Sequence, residues 1–296
     1  MAIEPPTAFP PLPPEVRVVR LPADGAAAGA WPAASDLAAL VITFEREEGL
    51  RELAASLAGQ TVRPGVLLAV DNGRGEGTRP ALAGLAARGC EVLLVVPPRN
   101  LGPAGATALA MGLLAGGDFP AAEWLTILND DLVFNHPRVL EEMLAFARQA
   151  ARDDPRVGAV GRVGHHFDRA WARLRRPPES SRPPLPPVLE VDYLTTGSAR
   201  AAIGQPVPML RLAAVRDVGP FWAELFIGMT EVEYGLRLRR GGWRLLANGT
   251  MWRQPRPASV PPDPPGSRIV RTPWRRYYST RNLVVVARVY GRWWTP

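Results

Sequence analysis

Four times between residues 36 and 152, a short continuous apolar run gives way to a stretch with helical spacing. The runs lie at 37–44, 66–70, 91–96 and 124–128, and the helical stretches at 48–60, 80–88, 102–114 and 137–152. Strands buried on both faces read as unbroken apolar runs, and strands joined through helices form right-handed crossover units. The pattern predicts an α/β fold, Rossmann-like, with a mostly parallel central sheet and flanking helices. Ligands of such sheets bind outside the carboxyl ends of the strands. Each run ends in polar residues at that edge: Thr43-Phe44-Glu45-Arg46, Asp71-Asn72-Gly73, Arg99-Asn100-Leu101-Gly102 and Asn129-Asp130-Asp131.

On either side the pattern is less regular. Residues 1–35 form a Pro/Ala-rich arm, expected to be loose apart from an edge strand at 16–21, with regular structure beginning at Asp36. Residues 36–156 make up the half just described. Residues 157–296 make a second, less regular half: strands at 157–163, 191–196 and 243–247, helices at 208–218, 231–240 and 274–290, and a Pro/Arg-rich loop at 173–187. Gly241-Gly242 closes the second of these helices, as glycine does at helix C-termini.

The chain's 296 residues, 47% of them hydrophobic, suffice for one large domain with a real core. All 35 basic residues are Arg and the formal charge is +7. That charge admits nucleic acid, an anionic membrane surface or an anionic small substrate as partner. The arginines are spread along the chain and form no zinc-finger, RRM or KH pattern, so no nucleic-acid partner is expected. A lone cysteine, Cys90, allows no internal disulfide and fits a reducing compartment. The first fourteen residues lack the apolar core of a signal peptide, and no run of about twenty apolar residues predicts a membrane span. The expected place is the cytoplasm. Trp293 and Trp294, beside Arg288 and Arg292, mark either a contact with the membrane's inner face, a core element or a partner interface.

Two groups of carboxylates carry chemistry. Asp130 and Asp131, at a strand's carboxyl end, suit a hard cation such as Mg²⁺ or Mn²⁺, which takes one or two carboxylates plus phosphate oxygens and water. Asn and Asp favour turns as well, which is the plain alternative. Glu231 and Glu233 fall in a helix's first turn, where the helix dipole favours anions. Glu233 and Arg237, spaced i,i+4, also suit an ordinary surface salt bridge, and Thr230 suits a cap.

Taken together and in this order, these clusters resemble the family-2 inverting glycosyltransferases of GT-A fold, and most of all their bacterial galactofuranosyl- and rhamnosyltransferase branch. The stretch Arg276-Tyr277-Tyr278-Ser279-Thr280-Arg281-Asn282 is similar to a Tyr-Tyr…Arg-Asn segment of a late helix in those enzymes. The resemblance implies a donor carried on UDP or dTDP and an acceptor that is a glycan, a lipid-linked sugar or a small molecule. It implies that Thr43, Glu45 and Arg46 line the base and ribose, and that Asp71 accepts a hydrogen bond from the base. Asn100 would lie near the ribose or diphosphate. Asp131 would ligate Mg²⁺ or Mn²⁺, with Asp130 on the ribose or the metal, and Glu231 would be the general base. Two positions depart from the family. Asn129 stands where many relatives carry Asp. Arg253 stands where many carry a metal-binding His, and an Arg there binds diphosphate directly and weakens the need for a metal. These departures motivate a second reading, a non-catalytic nucleotide-sugar-binding protein of the same fold. Trp222, before Glu231, suits either a stacked acceptor sugar or the core. His136 reads as a loop residue, while His165 and His166 follow a strand near the site. A dinucleotide oxidoreductase is excluded, because no Gly-X-Gly-X-X-Gly follows the first strand.

Overall fold

The computed structural model describes residues 4–21, 33–73, 76–117, 121–175, 186–195, 207–252 and 272–291. In chain order the first half contains β1 (Arg17–Leu21), β2 (Ala33–Thr43), α1 (Glu47–Ala58), β3 (Arg63–Asp71), α2 (Thr78–Ala86), β4 (Glu91–Val96), α3 (Gly102–Ala115), β5 (Trp124–Asn129) and α4 (Val139–Asp153). The second half contains β6 (Val157–Gly161), β7 (Gly164–Asp168), β8 (Arg173–Arg175), β9 (Val188–Val191), β10 (Tyr193–Leu194), β11 (Met209–Arg211), α5 (Leu212–Val218), a 3-10 turn (Ala223–Leu225), α6 (Thr230–Arg240), β12 (Arg244–Asn248) and α7 (Pro273–Tyr290).

The described strands form a nine-stranded sheet in the order β1-β4-β3-β2-β5-β11-β6-β12-β9. Its heart, β4-β3-β2-β5, is parallel, as the alternating pattern requires. β12 runs parallel to β6, while β11 enters antiparallel between β5 and β6, and β1 and β9 close the edges antiparallel. A second sheet, β10-β7-β8, stands apart. β2 shows why the centre reads as an unbroken apolar run. Leu37, Ala39 and Val41 face α1, α2 and α4, whereas Ala38 and Leu40 face α3, α5 and α6, and all five are fully buried. The α/β class with helices on both faces is therefore as the sequence predicts.

The structure departs from the sequence pattern in several places. The segment 208–218 is not one helix. Met209 and Leu210 pair with β5 on one side and β6 on the other before the helix begins at Leu212. Two flanking strands present unpaired backbone groups there, and three residues of strand satisfy both. His165 and His166, which follow β6, lie inside a further strand, β7. β2 starts at Ala33, ahead of Asp36, because Ala33 and Ala34 pair with Arg63 and Pro64. Of the loop 173–187, the first three residues form β8, and 176–185 lie outside the described residues. No helix among the described residues is long and apolar enough to cross a membrane.

Within the arm, the described residues around Pro6 are fastened. Gly219 (φ +85°) lies so close to them that a Cβ would sit 2.8 Å from the Pro6 carbonyl oxygen. Arg237 Nη1 donates to the same oxygen at 2.6 Å. Arg237 is itself paired with Glu233, whose two carboxylate oxygens accept from Nε at 3.0 Å and Nη2 at 2.9 Å. The Tyr290 hydroxyl donates to Glu233 at 2.7 Å, and Arg237 also reaches the Val218 carbonyl at 3.0 Å. The i,i+4 pair is therefore buried, with Glu233 at 0% exposure, not on the surface. Removing one partner strands the other charge in the core. Arg237→Ala should cost about 3–5 kcal/mol, read as a lowered urea midpoint. A loss under about 1 kcal/mol, the range of exposed pairs, would mean that the pair is solvated.

Candidate active site

The carboxyl ends of β2, β3 and β5 meet in one corner. Thr43 pairs in register with Asp71, and Ile42 with Asn129, so the three polar clusters lie side by side. Thr43 and Asp71 are buried, at 2% exposure each. Asp71 shapes its own turn: Gly73 N donates to Oδ1 at 2.7 Å, and the Thr78 hydroxyl donates to Oδ2. Glu45 adopts a left-handed backbone (φ 52°) and packs over that turn; a Cβ on Gly73 would sit 3.5 Å from its Cγ. Positive φ in a non-glycine residue is stored strain of a kind that clusters at functional sites.

Arg46 reaches from the start of α1 across to the end of β5. Nη1 lies 3.1 Å from Asp130 Oδ1, and Nη2 lies 3.3 Å from Asp131 Oδ2. The guanidinium is half-exposed while both carboxylates are mostly covered. Burial pushes the Asp130 carboxyl above its ordinary range; Arg46 opposes the rise, Asp131 adds to it, and the Thr43 hydroxyl opposes it. Two covered carboxylates side by side need positive charge near them. Arg46 supplies part of it.

Asn100 begins the next corner. Its Oδ1 accepts from Gly102 N at 2.8 Å and so caps α3. Asn72 ties this corner to the first: its Oδ1 accepts from Leu101 N at 3.2 Å and its amide donates to the Gly102 carbonyl at 3.3 Å.

Glu231 stands in the first turn of α6, with the Thr230 hydroxyl donating to Oε2 at 3.0 Å. It lines a small, mostly apolar cavity with Ile127 of β5, Leu194 of β10 and Tyr234 and Leu238 of its own helix. Burial and the nearby Glu231 carboxylate raise the Tyr193 phenol above its ordinary range. The Tyr193 ring lies 5.5 Å from His165, which meets Trp252 at 6.0 Å. His165 is thus in the neighbourhood of Glu231. His136 stays in its loop, accepting from Arg138 N, and His166 pairs with Asp192.

The loop feeding α6 is strained: Phe226, Gly228 and Met229 all have positive φ, at 59°, 80° and 62°. Asn282 of α7 holds it. Its amide nitrogen, fully buried, faces the carbonyls of Leu225, Ile227 and Gly228 at 2.7, 2.9 and 2.8 Å. An amide has two N–H groups, so three acceptors share them. Arg281 Nε donates to Asn282 Oδ1 at 2.9 Å and fixes the amide's orientation. Phe226 in turn accepts from Ala104 N at 3.0 Å, which docks the loop on the start of α3.

The remaining candidates divide. Trp222 is buried against Ala104 and Leu225, in a small core between α3, the 3-10 turn and α7. Glu233 serves the buried pair described above. Arg253 lies outside the described residues. Three residues escape the sequence reading. Gly49 in α1 lets the end of β5 approach: a Cβ there would sit 2.7 Å from the Asp130 carbonyl oxygen. A glycine inside a helical pattern is the signal for such an approach. Asn72 lies inside the marked Asp71-Asn72-Gly73 cluster without a role of its own there, and Tyr193 carries no signal beyond its strand. A fourth, Arg162, is fully buried after β6, with Nη2 3.4 Å from the Met251 carbonyl; burial lowers its pKa to about 10.

For a divalent cation, the described residues offer two adjacent carboxylates and no cluster of three or more His, Cys, Asp or Glu. That donor set fits Mg²⁺ or Mn²⁺ drawing its other ligands from phosphate oxygens and water. It does not fit a closed, all-protein site.

Residues 38–199, just over half of the chain, match the family model described as Glycosyl transferase family 2. No curated protein matches the chain. A crystal structure of TarS 1–349 from S. aureus in complex with UDP is similar at TM-score 0.51 and 16% identity, over 72% of this chain and 58% of that one. The mannosyltransferase PcManGT from Pyrobaculum calidifontis, in complex with GDP-Man and Mn²⁺, aligns at TM-score 0.48 and 18% identity, over 77% of this chain and 55% of its own. The chain thus spans a little over half the length of these structures. The likeness to TarS is one of fold.

Two substitutions test the framework of this edge. Gly49→Ala should cost about 1–3 kcal/mol through overpacking against backbone. Gly59→Ala at the other end of the same helix, with φ −81° and its nearest contact at 3.4 Å, should be near neutral; denaturant midpoints of the two variants make the comparison. Asn282→Leu leaves buried carbonyls without donors and should cost about 3 kcal/mol. Hydrogen exchange would show faster exchange in 225–229 than in the β2–β5 sheet.

Proposed function

The chain belongs to glycosyl transferase family 2, and on that footing we propose that it is an inverting enzyme that moves a sugar from a nucleotide diphosphate to an acceptor hydroxyl. The observation that supports the reading is the carboxylate pair Asp130 and Asp131 at the carboxyl end of β5, bridged by Arg46; Glu231, in the first turn of α6, is the base of the proposal. Inverting transfer needs both a base and a way to absorb charge on the leaving group, and neither job requires a covalent intermediate.

Glu231 takes the proton from the acceptor hydroxyl as its oxygen attacks the anomeric carbon. The bond from that carbon to the diphosphate oxygen breaks on the opposite side, and the sugar's configuration inverts. The Thr230 hydroxyl donates to the Glu231 carboxylate and orients it at the start of α6. Thr43, Glu45 and Asp71 line the nucleotide's base and ribose, with UDP or dTDP as the expected carrier. Asp71 keeps acceptor capacity for a base N–H, since a carboxylate offers about four lone-pair sites. Asn100 lies toward the ribose or diphosphate. Asp131, with Asp130, holds Mg²⁺ or Mn²⁺ when it is bound; the ion would neutralise charge on the departing diphosphate. Arg46 is already placed between these carboxylates and solvent, and Arg253 is assigned to the diphosphate. The galactofuranosyl- and rhamnosyltransferase branch is supported by Tyr277, Tyr278, Arg281 and Asn282, the last two of which brace the loop before Glu231.

One observation favours a second reading, a binder without turnover. Arg46 spans both acidic residues and partly satisfies them without an ion. A panel of UDP-, dTDP- and GDP-sugars, with and without Mg²⁺ or Mn²⁺, separates the two. One donor should release its nucleoside diphosphate, and Glu231→Gln should cut that rate by about 10²–10⁴. Nucleotide affinity in this variant should change by less than about threefold, because the substitution is isosteric. Nucleotide binding with no turnover in the presence of any acceptor would favour the binder.

A further inference from the structure

Between α3, the 3-10 turn at Ala223–Leu225, α7 and the proline segment 10–13 lies a cavity of about 590 Å³. This is the size of a small-molecule site. Leu12, Leu101, Leu109, Leu113 and Phe226 give it apolar walls. Of the charged groups in its lining, Arg99 and Arg281 oppose one carboxylate, Glu224, which leaves the lining net positive. Arg281 is held in place: its guanidinium lies 4.8 Å over the Tyr278 ring and donates to the Glu224 carbonyl oxygen. The Tyr278 ring stacks on Phe226 at 5.0 Å, which extends the apolar wall.

The cavity's position gives it meaning. Arg99, Asn100 and Leu101, which follow β4, line it. Glu224 and Phe226, in the segment that leads to Glu231, line it as well. A molecule seated here touches both the nucleotide edge and the loop of the base. Leucine walls gain nothing from a bare sugar, because burial stabilises apolar surface and not hydroxyls. Guanidinium groups gain from carboxylate or phosphate, which they bind through paired N–H donors.

We propose that this cavity holds the non-reacting part of the acceptor: an apolar body carrying an anionic group that pairs with Arg99 and Arg281. The word acceptor rests on the glycosyltransferase reading; the binding of an anionic amphiphile does not. The leading segment is then part of the site, since Leu12 and its neighbouring prolines close one wall.

Titration calorimetry on the full chain tests this, with decyl phosphate below its micelle concentration as probe and decanol and inorganic phosphate as comparisons. Decyl phosphate should bind saturably and at least about tenfold more tightly than either. Leu109→Trp fills the cavity and should abolish binding, with the unfolding midpoint and nucleoside diphosphate affinity unchanged. Arg99→Ala should weaken decyl phosphate about tenfold and leave decanol unaltered. Leu113→Glu should weaken decyl phosphate more than decanol. The proposal is overturned if decanol binds as tightly as the phosphate, or if folded Leu109→Trp protein binds like wild type. Should no donor be turned over while decyl phosphate still binds in this pattern, the glycosyltransferase reading falls and the cavity site stands.

Discussion

A buried ion pair, Glu233 with Arg237, determines where α6 lies, and α6 carries Glu231. Taking two charges out of water costs several kcal/mol per ion, and their attraction alone does not reliably offset it. The structure compensates with hydrogen bonds on both partners. Glu233 accepts from both arms of Arg237 and from Tyr290, while Arg237 also reaches the Val218 and Pro6 carbonyls. Those partners come from the final helix, the end of α5 and the start of the chain. The position of one catalytic candidate therefore depends on segments separated by up to 231 residues. The leading prolines gain their place through the same guanidinium.

The central sheet was legible because its signal is local. An apolar run buried on both faces announces itself, and the polar clusters that end β2, β3 and β5 mark the carboxyl edge without any knowledge of tertiary structure. Thr43, Asp71 and Asn129 fall side by side because parallel register follows from those runs. What lacks a local signal was not legible. β11 is three residues long, and its two pairings are visible only once β5 and β6 are in place. An i,i+4 Glu–Arg pair has the same spacing on a surface as in a core, so the burial of Glu233 is not written in its neighbours. Asn282 was marked by its resemblance to a family segment. Its grip on three carbonyls follows only from the approach of α7 to the loop 225–228.

Charge in the nucleotide corner is arranged to be incomplete. Arg46 balances part of the negative charge of Asp130 and Asp131, yet Asp130 still favours its proton more than an ordinary aspartate does. A corner that was already neutral would gain little from a cation or a polarised diphosphate assembly. One with two unbalanced carboxylates would not fold as readily. The guanidinium's two contacts with Asp131 are long and exposed, at 3.4 and 3.3 Å, while its bond to Asp130 at 3.1 Å is partly buried. Arg46 therefore steadies the two carboxylates chiefly through Asp130.

The loop before α6 shows the complementary device. Left-handed backbone at Phe226 and Met229 costs energy that nothing local repays. It persists because Asn282, Ala104 and the stacking of Phe226 on Tyr278 over-determine it. A relaxed loop would let the first turn of α6 rotate, and Glu231 would lose its place in the cavity it shares with Ile127. Arg46 stands half-exposed in its corner, and the loop holding Glu231 is rigid. That division is what the proposed transfer would require: a donor that enters and leaves while the proposed base keeps one position.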